Sequence, residues 1–231
     1  EASLFYACNG LEAVALPHAR DHKRLLDGDE GPNTGGMGAI SPNPEITPEL
    51  QEQVFQECVL PTLHALKDAG MPFRGFLFGG FMLTQKGPKL LEYNVRLGDP
   101  ENQAILPRLP DGAFLDLCMK TATGNLDGLS IAESDQATCA IVLAAAGYPE
   151  SPRKGDSIKV SDKIDSGSCW LIHAGTKTQG ADLQTSGGRV AAIVCRNNTP
   201  ELARTGAYEA LDYVSFDGAQ YREDIGTHKE I

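Results

Sequence analysis

Leu90-Leu91-Glu92-Tyr93-Asn94-Val95-Arg96 alternates apolar and polar residues with the period of two at which a β-strand sends successive side chains to opposite faces. The alternation predicts a strand over residues 88–95. Leu91, Tyr93 and Val95 are expected on a core face, and Glu92, Asn94 and Arg96 on the other. A carboxylate, a carboxamide and a guanidinium on one face suit chemistry better than packing. Glu92 and Asn94 offer oxygen ligands of the kind Mg²⁺ takes together with water and phosphate oxygens. Arg96 offers a fork of donors for a carboxylate or phosphoryl group. From spacing alone, a solvated face with an Arg–Glu pair is equally compatible.

Working outward, residues 74–84 form a second apolar run, and Gln85-Lys86-Gly87 joins it to the first stretch as a hairpin. Downstream, Gly98-Asp99-Pro100-Glu101 places two acids in a turn at the strand's end, either as functional groups or as a plain acidic turn. Upstream, residues 3–17 read as two strands around Asn9-Gly10, a strong turn signal. Thr47-Pro48-Glu49-Leu50 opens a helix with a hydroxyl cap, a proline in the first turn and an acid near the positive end. Pro61 is expected to interrupt that helix and Gly70 to end it. A further helix is expected over residues 110–124, with Phe114, Leu117, Cys118 and Thr121 inward. A polar stretch over residues 127–136 marks a boundary, followed by short β runs and a helix opened by Thr199-Pro200-Glu201-Leu202.

Residues 21–48 are rich in Gly, Pro and Asn and read as one long loop, a feature usually functional or disordered. Within it Gly31-Pro32-Asn33-Thr34-Gly35-Gly36-Met37-Gly38 has four glycines in eight residues, which permits backbone N–H groups to converge on an anion. It is neither a Walker A loop, since Met37 stands where Lys would be needed, nor a dinucleotide fingerprint. Lys23 and Arg24 precede it as candidate phosphate ligands, and a solvated charged turn is the plainer alternative.

The 231 residues carry 20 basic and 31 acidic side chains, a net charge of −11. That balance argues against broad nucleic-acid or anionic-membrane binding. No apolar run is long enough to span a bilayer as a helix. Six cysteines stand singly; with no C-x-x-C pair, zinc and thioredoxin sites are not indicated. Buried free thiols in a reducing cytosol are expected. Trp170 reads as core, His173 as structural, Arg189 as structural with an orientation toward the active site as the alternative, and His228 as solvated.

Three segments together, D-H-K-R at 21–24, G-P-N-T-G-G-M-G-A at 31–39 and E-Y-N-V-R-L-G-D-P-E-N-Q at 92–103, resemble the phosphoribosylamine–glycine ligase family of ATP-grasp enzymes. The similarity continues through Ala146-Gly147-Tyr148-Pro149, His173-Ala174-Gly175-Thr176, Gly187-Gly188-Arg189-Val190 and Asp224-Ile225-Gly226. The family more often has Phe and Cys at Tyr93 and Val95, Thr at Asn102 and an aromatic at Ile40. None of these departures touches the polar face.

The resemblance implies an α+β fold: the C-terminal part of an ATP-grasp domain over residues 1–136, largely antiparallel sheet with helices, then a small α+β domain over residues 137–231. It implies ligation of glycine to 5-phosphoribosylamine in purine biosynthesis, with ATP as substrate and Mg²⁺ or Mn²⁺ as cofactor, in the cytoplasm, by a monomer. Glu92 and Asn94 match the family's metal ligands, and Arg96 the cation beside them. Lys23, Arg24, Gly31, Asn33, Thr34, Gly35, Gly36 and Gly38 are expected to hold phosphoribosylamine or close over the acyl phosphate. Asp99 and Glu101 would orient an amine, or serve only the turn. The chain begins within what resembles the end of an adenosine-contacting segment, so the N-terminal half and most of the nucleotide lid are expected upstream and the chain alone is expected to be inactive. Another ATP-grasp ligase or carboxylase, and a non-enzymatic scaffold, are the competing classes.

Overall fold

The structure is a computed structural model that describes residues 1–131, 134–165 and 167–227. In chain order its elements are β1 (Ala2–Asn9), β2 (Ala13–Ala15), β3 (Arg20–Asp21), β4 (Arg24–Leu26), β5 (Glu30–Asn33), β6 (Gly38–Ser41), α1 (Pro48–Val54), α2 (Leu60–Asp68), β7 (Arg74–Thr84), β8 (Gly87–Asn94), α3 (Glu101–Ile105), α4 (Ala113–Thr123) and β9 (Ala137–Ala144). Then follow β10 (Lys159–Val160), β11 (Cys169–His173), β12 (Thr176–Gln179), β13 (Asp182–Thr185), β14 (Arg189–Asn197), α5 (Pro200–Ala210) and β15 (Val214–Ser215). The fold is α+β, with antiparallel pairing of β2, β1, β7 and β8 in one main sheet and of β11, β14, β9 and β6 in the other.

The first compact unit comprises Glu1–Arg20, Pro42–Gly98 and Ile105–Ser134. Its sheet has the order β2-β1-β7-β8. The β1–β2 hairpin turns through Asn9, whose side-chain oxygen accepts from the amides of Leu11 and Glu12. The Thr47 hydroxyl caps α1 by accepting from Leu50 N–H at 3.2 Å. The expected interruption at Pro61 is a π-helical turn, Phe55–Val59, that leads into α2; a proline lacks the N–H that an unbroken α-helix would use. Leu4, Tyr6, Val54, Leu63 and Phe81 pack on one side of the sheet, and Phe5, Phe78, Ile105 and Leu117 on the other.

The second unit comprises Asp21–Ser41, Asp99–Ala104 and Asp135–Ile231. This unit is discontinuous in sequence, since residues 21–41 and 99–104 group with the C-terminal segment. β6 is hydrogen-bonded to β9 (Ile40 opposite Cys139), and Ala39 and Ala104 share an apolar cluster with Ala140, Val142, Ala192 and Val194. The sheet order is β11-β14-β9-β6-β3, and β9 is buried along its whole length. Its odd-numbered residues face α5, whose Ala203, Ala207 and Ala210 are fully covered. The residues 21–48 expected as loop in fact hold four short strands, β3 to β6.

The cysteine expectation is corrected in part. Cys8, Cys58, Cys118 and Cys139 are free thiols, but Cys169 and Cys195 form a disulfide. They are direct cross-strand partners on β11 and β14, a juxtaposition that a separation of 26 residues does not announce. Trp170 is half-buried rather than core, with Arg196 stacked over its ring, and His173 is exposed. His228 lies outside the described residues.

Candidate functional site

β8 is an edge strand. Tyr93 faces inward as expected and packs on the first unit's core. Leu91 and Val95 do not: they are 50% and 71% exposed. The cause is a shift of register, with Glu92 opposite Gly80 but Leu90 opposite Phe81. That leaves Leu91 as the extra residue of a β-bulge, and Val95 falls past the strand's end.

The polar face is formed by Glu92 and Asn94. Asn94 Nδ2 donates to Glu92 Oε1 at 3.0 Å, so the two side chains stand together. Glu92 is exposed, Asn94 half-buried. Arg96 lies beyond the strand, exposed, with one guanidinium nitrogen donating to Leu97 O at 3.0 Å. The donor set fits Mg²⁺ in part: two neighbouring side-chain oxygens, once the Asn94 amide turns its oxygen inward, with the rest of the shell left to phosphate and water. Among the described residues there is no cluster of three or more His, Cys, Asp or Glu side chains arranged to hold a metal without such help.

The glycine-rich loop belongs to the second unit, and its four amides from Thr34 to Met37 are already committed. Thr34 N–H donates to Lys23 O and Met37 N–H to His22 O, both at 2.8 Å. Gly35 N–H donates to the Tyr148 hydroxyl at 2.9 Å, and Gly36 N–H to Thr34 Oγ1 at 3.0 Å. The expected convergence of backbone donors on an anion is thus not what the loop displays. Its glycines permit close packing instead. Gly36 has φ +109°, and a Cβ there would overlap Pro100 and lie 2.7 Å from Asp21 Oδ1. A Cβ on Gly38 would lie 2.6 Å from Ala140 O.

Ahead of the loop, β4 and β5 form a small hairpin in which Arg24 Nη1 donates to Gly31 O at 2.7 Å and Arg24 pairs with Asn33. The hairpin's tip is held by Arg222, whose side chain is 1% exposed and pairs with Asp29 at 3.0 Å and Asp224 at 2.6 Å. Burial alone would raise the Asp224 pKa. Hydrogen bonds from Arg222 and the Gly28 amide outweigh it and hold the carboxyl well below its ordinary range.

The Asp99-Pro100-Glu101 turn is in the same unit. Asp99 Oδ1 accepts from Gln103 Nε2 at 2.9 Å and Oδ2 pairs with Arg189 at 3.2 Å, while Glu101 is buried at the start of α3. Tyr148 is the residue that sequence reasoning missed, and Arg189, expected as structural, bonds protein oxygens. The signal was present in the family-like strings G-G-R-V and A-G-Y-P, but nothing in them says that both reach the loop. Burial pushes the Cys8 and Cys139 thiols up to about 12, which leaves neither as a nucleophile near neutral pH.

Residues 1–102 match the family described as phosphoribosylglycinamide synthetase, ATP-grasp (A) domain, and residues 138–228 match the same family's C domain. A phosphoribosylamine–glycine ligase of Ralstonia nicotianae is 45% identical over 232 residues, covering 100% of this chain and 54% of the relative. The bifunctional purine biosynthetic protein ADE1 of Schizosaccharomyces pombe is 41% identical over 228 residues, covering 99% of this chain and 29% of that protein. The crystal structure of a Thermotoga maritima phosphoribosylamine–glycine ligase superposes with a TM-score of 0.88 at 37% identity, over 97% of this chain and 55% of that one. A biotin carboxylase domain from Hydrogenobacter thermophilus, solved with Mg-ADP and bicarbonate, superposes at 0.66 with 16% identity over 95% of this chain and 46% of its own; that likeness shows the fold alone. The chain spans about half the length of the curated ligases it matches.

Proposed function

The chain belongs to the phosphoribosylglycinamide synthetase family, and from that premise we propose that it is the C-terminal half of an ADP-forming ligase that joins glycine to 5-phosphoribosylamine. ATP and glycine would give glycyl phosphate and ADP; the amine would then displace phosphate to give glycinamide ribonucleotide. The observation that carries this reading is the paired Glu92 and Asn94 on one strand face, in a chain similar over its whole length to ligases of that name.

The chemistry follows from the poor reactivity of a carboxylate. Glycine's carboxylate oxygen attacks the γ-phosphorus and the bond to ADP breaks. The acyl phosphate then carries a good leaving group, the amine nitrogen attacks its carbon, and phosphate departs with the electron pair as the nitrogen loses a proton. Both steps depend on positioning and neutralised charge more than on protein acid–base groups. Glu92 and Asn94 would hold Mg²⁺ or Mn²⁺, which when bound neutralises the charge of the nucleotide phosphates. Arg96, with donors left beyond its bond to Leu97 O, would hold the glycine carboxylate or the transferred phosphoryl oxygens.

Phosphoribosylamine would be held by side chains at the glycine loop rather than by its amides. Lys23 and Arg24 supply positive charge; Gly31 and Asn33 are exposed and Thr34 half-buried, beside them on the loop. Gly35, Gly36 and Gly38 shape the loop. Asp99 and Glu101 fix the turn. Cytoplasmic location and a monomeric state complete the reading. No helix among the described residues is long and apolar enough to cross a membrane.

The test is ADP release dependent on both glycine and phosphoribosylamine. Turnover is expected when the chain is joined to a family N-terminal half and lid, and none from the 231 residues alone. Turnover by the 231 residues alone would refute the half-enzyme reading. No substrate-dependent ADP release from a folded, joined enzyme would refute the ligase reading.

A further inference from the structure

Arg189 opens β14, in the C domain of the family, and its side chain reaches two segments from the other family domain. Nη1 donates to Gly35 O and to Asp99 O, both at 2.6 Å, and lies 3.5 Å from Gly36 O. Nη2 pairs with Asp99 Oδ2 at 3.2 Å. Without a cation, these carbonyls and a carboxylate would face one another, a mutually repulsive arrangement. Glycine at position 35 is part of the design, since a Cβ there would lie 3.0 Å from the guanidinium carbon. A second prop comes from the same domain. The Tyr148 hydroxyl accepts from Gly35 N–H, and Gly188, next to Arg189, leaves room for the Tyr148 ring: a Cβ on it would lie 2.8 Å from Cε2.

We propose that Arg189 is a positioning residue that fastens the glycine-rich loop to the Asp99-Pro100-Glu101 turn, so that the two segments bind substrate as one rigid piece. The inference rests on the ligase reading for its substrate, phosphoribosylamine, and on geometry alone for the fastening. Nη1 and Nη2 of Arg189 point at protein oxygens, the geometry of a fastening. Only a planar fork satisfies acceptors on two segments at once. Lysine, a single point of charge, would retain part of them.

The experiment uses Arg189→Met and Arg189→Lys in the intact enzyme, with two readouts. The first is amide hydrogen exchange. Gly36, Met37 and Gln103, whose amides bond Thr34 Oγ1, His22 O and Pro100 O, are expected to exchange at least tenfold faster together in Arg189→Met and by a smaller factor in Arg189→Lys. Strands β9 and β14 should keep wild-type protection. Loosening of one segment only, of neither, or of the whole sheet would overturn the proposal.

The second readout is steady-state kinetics. The KM for phosphoribosylamine should rise at least tenfold in Arg189→Met, with kcat and the KM for ATP within threefold and partial recovery in Arg189→Lys. A fall in kcat with an unchanged KM would overturn the positioning role. If the wild-type enzyme shows no phosphoribosylamine-dependent turnover, the ligase reading fails, and the exchange data alone decide whether Arg189 fastens the two segments.

Discussion

On β8, an exposed Glu92 and a half-buried Asn94 share one hydrogen bond and stand on an edge strand. In the glycine-rich loop, four consecutive amides from Thr34 to Met37 are all bonded, one of them to the Tyr148 hydroxyl, and the buried Arg222 guanidinium holds the hairpin ahead of them. One region is an open polar face on a finished strand. The other is a packed structural joint whose glycines exist because neighbours come close. Glycine-rich composition looks the same in an anion cradle and in such a joint; what separates them is where the amides point, and that is fixed by residues far away in sequence.

The contrast can be broken by substitution, beginning where the effect should be largest. Gly36→Val places a β-branched side chain at φ +109° against Pro100 and is expected to cost about 4 kcal/mol, from backbone strain and overlap together; denaturant unfolding measures it. Arg222→Met leaves Asp29 and Asp224 without their buried partner and should cost about 3 kcal/mol, read by the same titration. Equal stability in either variant would mean that the loop and its hairpin are not locked.

A pH experiment sharpens the comparison from the first unit. His18 is buried, its Nδ1 accepts from Asn43 N–H at 3.0 Å, and burial, with Arg108 adding to it, lowers its pKa from 6.5 to about 4. The unfolded chain therefore takes up a proton before the folded one. Stability should be full above about pH 6.5 and fall as pH drops toward 4, by up to about 3 kcal/mol. His18→Gln should flatten that slope; an unchanged slope would contradict the assignment. The smallest effect is expected at the open face. Glu92→Gln should alter unfolding free energy by less than about 0.5 kcal/mol, as surface changes do.

Much of this was legible in the sequence because it is local. Alternation put Glu92 and Asn94 on one face, and Thr47 and Thr199 announced two helix starts that the structure caps as expected. The core side of β8 was not legible, because a bulge at Leu91 depends on how Gly80 and Phe81 pair across the hairpin. The strands β3 to β6 were hidden by glycine and proline, since β6 is stabilised by pairing with β9 about a hundred residues on. The disulfide and the reach of Arg189 are likewise products of register and tertiary packing. The family resemblance pointed to these segments; it did not say that the amides from Thr34 to Met37 are bonded within the protein or that Arg189 and Tyr148 reach the loop.

The most direct measurement is ADP formation by Glu92→Gln in the enzyme completed with its N-terminal half and lid, with glycine, phosphoribosylamine and Mg²⁺ supplied. The account predicts a loss of at least about a hundredfold in turnover, comparable to removing one strong charge-stabilising group from an active site, in a protein that unfolds at the wild-type denaturant concentration. Wild-type turnover from Glu92→Gln would contradict it and move the metal site off the β8 face.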